Sequence, residues 1–454
     1  MIRLLRLELR RNVVPLLLPV LTVLVWVSPY GRSLAEPAVW PRRAEVLQET
    51  LLGVGPVMAG AGAWTASREH RARMRDLLAS TARGAWARTL PGWAATALWG
   101  LAFLAAATGV LYGLTGRAAT WGGPPWWPVA AAAAMLSAFC AGGFTAGALL
   151  PGRFVAPLTA IGAFVLLVAA ASLESAGHAV ALVSPVGAVT DPYRPLFFRT
   201  GSAVPEVQVA FAAGLIALAI GALAFPAAAA GRVARSAGAV LAAVGTGTAG
   251  TALWLAGTGH IAEDSGTVTL PRLESADVGR PIAYTPVCGG RGIQVCVHPA
   301  FKTRLDESVA ALRPVTGQLA GIAGVPSRID ERILPKGPEL APTVLYTPAP
   351  LGAYSGRRID DQAAREMRAD AASGLLLGGW DGTGAARQAV VLGVLSAAGD
   401  PIDAAIPPLR EEPDAAVTAA ARRFAALAPA ARQRWLAAHL TALRAGRLTL
   451  MDLP

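Results

Sequence analysis

Seven stretches of the chain are apolar over about the length that crosses a bilayer: residues 13–30, 46–66, 91–114, 127–150, 154–173, 207–230 and 237–257. A helix needs ~20 residues to cross the hydrocarbon core, so each run predicts a transmembrane helix. Proline interrupts the first (Pro15, Pro19) and the second (Pro56), which membrane helices tolerate where neighbours satisfy the freed carbonyls. The last run is rich in Gly, Ala and Thr, including Thr246, Thr248 and Thr251, a composition suited to close helix approach. Ahead of the first run, leucines alternate with Arg3, Arg6, Arg10 and Arg11, and the arginines at 3, 6 and 10 share a helical face. Residues 1–12 therefore predict an interfacial helix leading into a span. A cleaved signal peptide is the rival reading, but 13–30 is long for the apolar core of one.

Beyond residue 258 the pattern changes. Glu263, Asp264, Glu274 and Asp277 appear at once. Two short strands are expected, Ile282–Val287 and Ile293–Val297, around a Gly-Gly-Arg-Gly turn. Thr303 followed by Asp306 predicts an N-cap for a helix through about Gly321. Asp360 or Asp361 is placed to cap a helix over 361–378. A strand is expected at Thr343–Thr347, and helical patterning runs through 386–398, 414–427 and 429–446. The fold class is thus an α-helical polytopic membrane protein of about seven spans, 13–258, followed by an α+β domain, 259–454, long enough for its own core.

Charge orients the spans. Residues 1–258 hold 19 arginines, no lysine and 9 acids, whereas 259–454 is nearly balanced. With the N-terminus in the cytosol, segments 1–12, 67–90, 151–153 and 231–236 carry 13 arginines against Glu8, Glu69 and Asp76, while the outward loops are neutral. This is a strong positive-inside asymmetry, so the basic charge belongs to a membrane surface and not to a nucleic-acid partner. An odd number of spans places 259–454 outside the cell. There Cys288 and Cys296 bracket the strand turn, and an oxidising compartment favours a disulfide over two reduced core thiols. Cys140, inside an apolar run, reads as a small core residue.

Several polar or small residues in the membrane half carry two readings. Glu49, near the outer end of the second run, is a candidate intramembrane polar site; it either snorkels to the interface or serves a substrate or coupling role. Gly143-x-x-x-Gly147 permits a close helix contact, inside the chain or between copies. Trp121, Trp126 and Trp127 read as an interfacial aromatic belt. Residues 174–206 are partly apolar (Val180, Leu182, Val183, Val186, Leu196, Phe197, Phe198), consistent equally with a re-entrant hairpin and with an interfacial loop.

Three common catalytic motifs do not occur in the chain. Lys302 follows Phe301 and Lys336 follows Pro335, so neither lysine closes a Walker A loop, whose glycines and lysine cradle phosphate. Neither His-Glu-x-x-His nor the Gly-x-Ser-x-Gly nucleophile elbow occurs. Cys296-x-His298 places two ligand types on one strand face, but disulfide formation consumes the thiol. No metal, cofactor or enzymatic activity is expected of this chain alone.

The stretch 64–90 supplies a route for energy from elsewhere. Arg68, Arg71, Arg73, Arg75, Arg83 and Arg88 sit between two apolar runs. At ~100° per residue, Met74, Leu77, Leu78, Ala82, Ala85 and Trp86 fall on one side and Glu69, Arg73, Asp76, Ser80 and Arg83 on the other. That pattern predicts a cytosolic amphipathic helix within 67–90.

The order of parts resembles the permease subunits of ABC transporters of the ABCG-like, type V exporter class: an interfacial N-terminal helix, closely spaced spans, and a basic amphipathic helix after the second. Glu69, Arg71 to Arg75, Leu77-Leu78-Ala79-Ser80-Thr81 and Arg83 are similar to that family's Glu…Arg…Leu-Leu-Ala-Thr-Pro…Arg pattern, although Thr81-Ala82 stands where the family has proline. The resemblance covers about residues 1–230. The segment Cys288…Cys296-Val-His-Pro-Ala-Phe301 resembles C-terminal domains of actinobacterial permeases of this kind. It implies an export permease working as a dimer with a second or related permease, coupled through 68–83 to an ATPase subunit that binds ATP and magnesium. Glu69, Arg71, Arg73, Met74, Arg75, Leu77, Leu78 and Arg83 are then the coupling residues. The alternative is a membrane-anchored receptor or enzyme displaying 259–454 outside the cytoplasmic membrane.

Overall fold

The computed structural model describes residues 2–71, 85–150, 152–186, 193–224, 232–262, 267–332, 343–347, 358–378, 384–402 and 413–454. It divides into two compact units, residues 1–34 with 38–280 and residues 35–37 with 281–454.

In the first unit, α1 (Ile2–Arg11) and α2 (Val14–Val27) meet at a bend of 57°. The Asn12 side chain makes the corner: its Oδ1 accepts from Val14 N and its Nδ2 donates to Thr96 Oγ1. After α3 (Pro29–Ser33), α4 (Trp40–Glu49) leads into α5 (Leu51–Ala66) and the short α6 (Arg68–Arg71). Further along are α7 (Ala85–Ala118), α8 (Trp126–Leu149), α9 (Val155–Ser175), α10 (Arg194–Phe197), α11 (Ala203–Ala222) and α12 (Arg232–Ala256).

Among the described residues, five helical segments are long and apolar enough to cross a membrane: Thr89–Ala118, Trp126–Leu149, Val155–Leu173, Ala203–Ala222 and Arg232–Ala256. The bent pair α1–α2 makes six if it counts as one span. The expected second span, 46–66, differs most from its sequence reading. Its apolar helix α5 has 16 residues, and the turns before it belong to α4, where Arg42, Arg43, Glu45, Gln48 and Glu49 break the apolar pattern. Thr50 joins the two with helical angles and an N–H still bonded to Val46 O.

Close backbone contact organises this bundle. A Cβ built on Gly143 would lie 1.9 Å from Ala59 O, and one on Gly147 2.3 Å from Ala63 O. The Gly143/Gly147 pair of α8 therefore seats α5 within this same chain. Gly214 and Gly221 of α11 meet Gly245 and Gly238 of α12 in the same manner. Lipid tails are as apolar as the helices, so association rests on such van der Waals fit rather than on expulsion of water. By contrast α9 turns nearly all of its surface outward, with Leu158, Ile161, Phe164, Val165 and Leu166 exposed.

The partly apolar segment after α9 forms a 3-10 turn, Ala179–Val183. Leu182, Val183, Val186, Leu196, Phe197 and Phe198 are buried in the unit, and Val180 is exposed. The unit runs on past residue 258. A two-stranded hairpin, β1 (His260–Ile261) with β2 (Val268–Thr269), follows α12. Leu270 then buries beside Leu182, Ala252 and Ala256, and Arg280 O accepts from Arg199 N.

The second unit is built on a four-stranded sheet in the order β3 (Val287–Gly289), β4 (Gln294–Val297), β5 (Arg328–Glu331), β6 (Val344–Thr347). The β3–β4 pair is antiparallel, and β4–β5 and β5–β6 are parallel. The first strand is shorter and later than its expected span, Ile282–Val287. Gly290 and Gly292, both at positive φ, carry the turn between β3 and β4. Around the sheet lie α13 (Leu305–Leu319), α14 (Asp361–Leu377), α15 (Ala385–Ala397), α16 (Ala415–Ala426) and α17 (Pro429–Arg444). Thr303 does not cap α13. It lies inside a 3-10 turn, Pro299–Arg304, that His298 caps by accepting from Ala300 N. Asp360 and Asp414 do cap α14 and α16, each accepting a backbone N–H three residues on.

Candidate functional site

The sequence pointed to residues 67–90, and the structure describes the start of that stretch and its return into α7. Arg73, Met74, Arg75, Leu77, Leu78 and Arg83 lie outside the described residues. Glu69 falls within α6. Arg71 sits at the end of α6; its Nη2 donates to Trp64 O at 3.0 Å, it also bonds Ser67 Oγ, and its guanidinium stacks 3.8 Å from the Trp64 ring centroid. Arg71 is thus folded back on the last turn of α5. Cations favour that end of a helix because its final carbonyls are unpaired.

A partner that no sequence pattern announced comes from the N-terminus. Glu8, the one acid of α1, is buried and accepts from Arg68 Nη2 at 2.9 Å and 3.0 Å through its two carboxylate oxygens. Trp99 Nε1 donates to Leu9 O, and Asn12 holds Thr96. The N-terminal helix is therefore fastened to the start of α6 by an ion pair and to α7 by two hydrogen bonds. Ion pairs with a buried partner resist screening better than exposed ones, and breaking one side strands a charge.

At the junction of α4 and α5, Glu49 is half-buried and 3.7 Å from Arg42, which also binds Glu45 at 2.9 Å. Beside it is a second feature that sequence reading missed. Gln208, buried near the start of α11, donates from Nε2 to Leu182 O and Ser184 O, both at 3.0 Å. Its Oε1 accepts from Gln48 Nε2 at 3.3 Å. One amide thus ties α4 and the 3-10 turn to α11. A buried amide left without such partners costs several kcal/mol in an apolar medium, so this node holds the loop after α9 in place.

In the second unit, Cys288 and Cys296 form a disulfide between directly opposed positions of β3 and β4. His298, two residues on, is buried; its Nδ1 accepts from Ala300 N and its ring lies 4.4 Å from that of Tyr284. Glu331, at the end of β5, accepts from His298 N, while its own carbonyl accepts from the Tyr284 hydroxyl. Arg332 lies over the Tyr284 ring. Burial pushes the Tyr284 hydroxyl up to about 12, with Asp330 adding to the effect, so it donates as a neutral phenol. These side chains gather where the parallel strands β4 and β5 end, the edge at which open α/β sheets bind ligands.

No protein-family model, curated protein or solved structure matches this chain. The functional reading therefore rests on the chain's own residues: a multi-pass apolar bundle, a basic stretch fastened at its start, and one disulfide-bonded sheet.

Proposed function

We propose that this chain is the membrane-spanning permease subunit of an ATP-driven exporter of the ABCG-like, type V class. One observation carries the reading: the basic stretch 67–90 lies between apolar helices, in a chain without a Walker loop, so energy has to enter from another subunit. The Glu8–Arg68 ion pair supports it, since it anchors the start of that stretch to the N-terminal helix. In this reading an ATPase subunit with ATP and magnesium docks on 68–83, a second permease completes the assembly, and a hydrophobic or amphipathic cargo moves outward. The N-terminus is cytosolic and residues 281–454 are extracytoplasmic, as the arginine distribution and the disulfide both favour.

The test is copurification. Tagged wild-type chain captures an ATPase from its native membranes, and Arg73→Glu with Arg75→Glu abolishes capture and transport. Intact capture and transport in that double variant defeat the coupling role. The orientation has its own check, because a cysteine introduced at Thr449 reacts with impermeant maleimide in intact cells if the second unit is outside.

A second reading is favoured by the Tyr284–His298–Glu331–Arg332 cluster at the sheet edge. There the spans display a ligand-binding or catalytic domain. It predicts that function survives replacement of the spans and is lost in Tyr284→Phe combined with Arg332→Gln, the reverse of the outcome for a permease.

A further inference from the structure

Between α11 and α12, on the flank of the bundle, runs a groove of about 400 Å³. Val207 and Ala210 form one wall, and Val244, Gly247, Thr251 and Leu255 the other. Over Gly247 the groove is open, for a Cβ there would meet nothing within 4 Å. Thr251 adds no free donor, since its hydroxyl bonds Gly247 O one turn back. From Val244 to Leu255 the helix rises about 16 Å, the reach of an extended medium-length acyl chain.

Next to Leu255, at one end of this groove, stands a chemically distinct pair. Trp254 follows Thr251 by three residues and so continues the same helical face; its ring is exposed. The Arg272 guanidinium stands 4.3 Å from the centroid of that ring. Arg272 is exposed, and no ion pair to it is found among the described residues. Tryptophan and arginine together are the side chains that settle at headgroup depth, and arginine binds phosphate through paired N–H donors.

We infer that this groove is a binding site for one anionic glycerophospholipid of the surrounding bilayer. One acyl chain lies along Val244–Gly247–Thr251–Leu255 and the phosphate is held by Arg272 against Trp254. Charge complementarity selects the occupant: an apolar slot open to lipid, with a cation near its Leu255 end that has no ion pair among the described residues. The inference needs only the multi-pass membrane fold and is independent of any ATPase.

Native mass spectrometry of the full chain, extracted in mild detergent and offered phosphatidylglycerol or phosphatidylcholine, tests it. Wild type retains one phosphatidylglycerol per chain in preference to phosphatidylcholine. Gly247→Leu puts a side chain into the groove where a Cβ meets nothing within 4 Å and lowers retention roughly tenfold, and Arg272→Gln removes the preference for phosphatidylglycerol, again roughly tenfold. Gly162→Leu, the same change on α9 at a position equally open, retains lipid as wild type does. Unchanged retention in Gly247→Leu, equal loss in Gly162→Leu, or a preserved preference in Arg272→Gln overturns the site. So does a lipid-free dimer that Gly247→Leu splits, which would make a second copy the occupant.

Discussion

The two units of this chain hold together by different means. In the membrane unit the decisive contacts are backbone on backbone: Gly143 and Gly147 against Ala59 and Ala63, Gly214 and Gly221 against α12. In the second unit arginines close helix ends and join elements. Arg444 donates to Leu375 O, Leu376 O and Gly324 O, Arg432 to Ala425 O and Leu427 O, and Arg368 to both oxygens of Asp400. The difference follows from the solvent. In lipid a charged donor is costly to bury and close van der Waals fit is what remains. In water, unpaired helix carbonyls must find donors and a guanidinium supplies several at once.

The sharpest way to break the contrast is Gly143→Leu. With backbone oxygen 1.9 Å from the new Cβ, α5 and α8 have to separate, and overpacking of this kind costs ~3 kcal/mol or more. Fluorescence-detected size-exclusion chromatography is expected to show loss of the monodisperse peak, whereas Gly162→Leu keeps it.

Next in size, Cys288→Ser with Cys296→Ser removes a crosslink across eight residues. That costs roughly 2–3 kcal/mol on the chain-entropy estimate. A lowered second transition in calorimetry, with the membrane transition unmoved, is the expected outcome.

A pH series sharpens the comparison from another side. Burial, reinforced by Glu366, pushes the Asp370 carboxyl up to about 7. Between the ordinary carboxylate value of about 4 and that raised value, the folded state holds a proton that the unfolded chain has released. Stability of the second unit therefore falls as pH rises through this window, and Asp370→Asn flattens the slope. An unchanged slope in the variant assigns the effect to other groups.

The smallest expected effect is a lost helix cap. Asp360→Ala or Asp414→Ala removes an acceptor for Ala363 N or Val417 N and costs about 1 kcal/mol, read as a small drop in the second unit's melting temperature. Asp360→Asn retains most of the cap.

How much of this was legible beforehand depends on the range of each interaction. The apolar runs announced the long helices because hydropathy over twenty residues is a local property, and α14 to α17 fell close to their expected limits for the same reason. The disulfide was readable because its cysteines flank a single turn. Within the expected second span, hydropathy alone does not register that its first turns belong to the more polar α4, which Thr50 joins to the 16-residue apolar α5. Thr303 failed as a cap because His298, through Pro299, set a 3-10 turn first.

By itself the sequence determined which segments are helices, which half of the chain is membrane-like, and where positive charge accumulates. Only the tertiary structure decided that Glu8 meets Arg68 across 60 residues, that Gln48 meets Gln208 across 160, that Gly143 and Gly147 face α5, and that α11 and α12 leave a groove between them. Those pairings depend on the rotation and axial offset of each helix against its neighbour. Backbone approach sets both, and no single helix carries that information in its own residues.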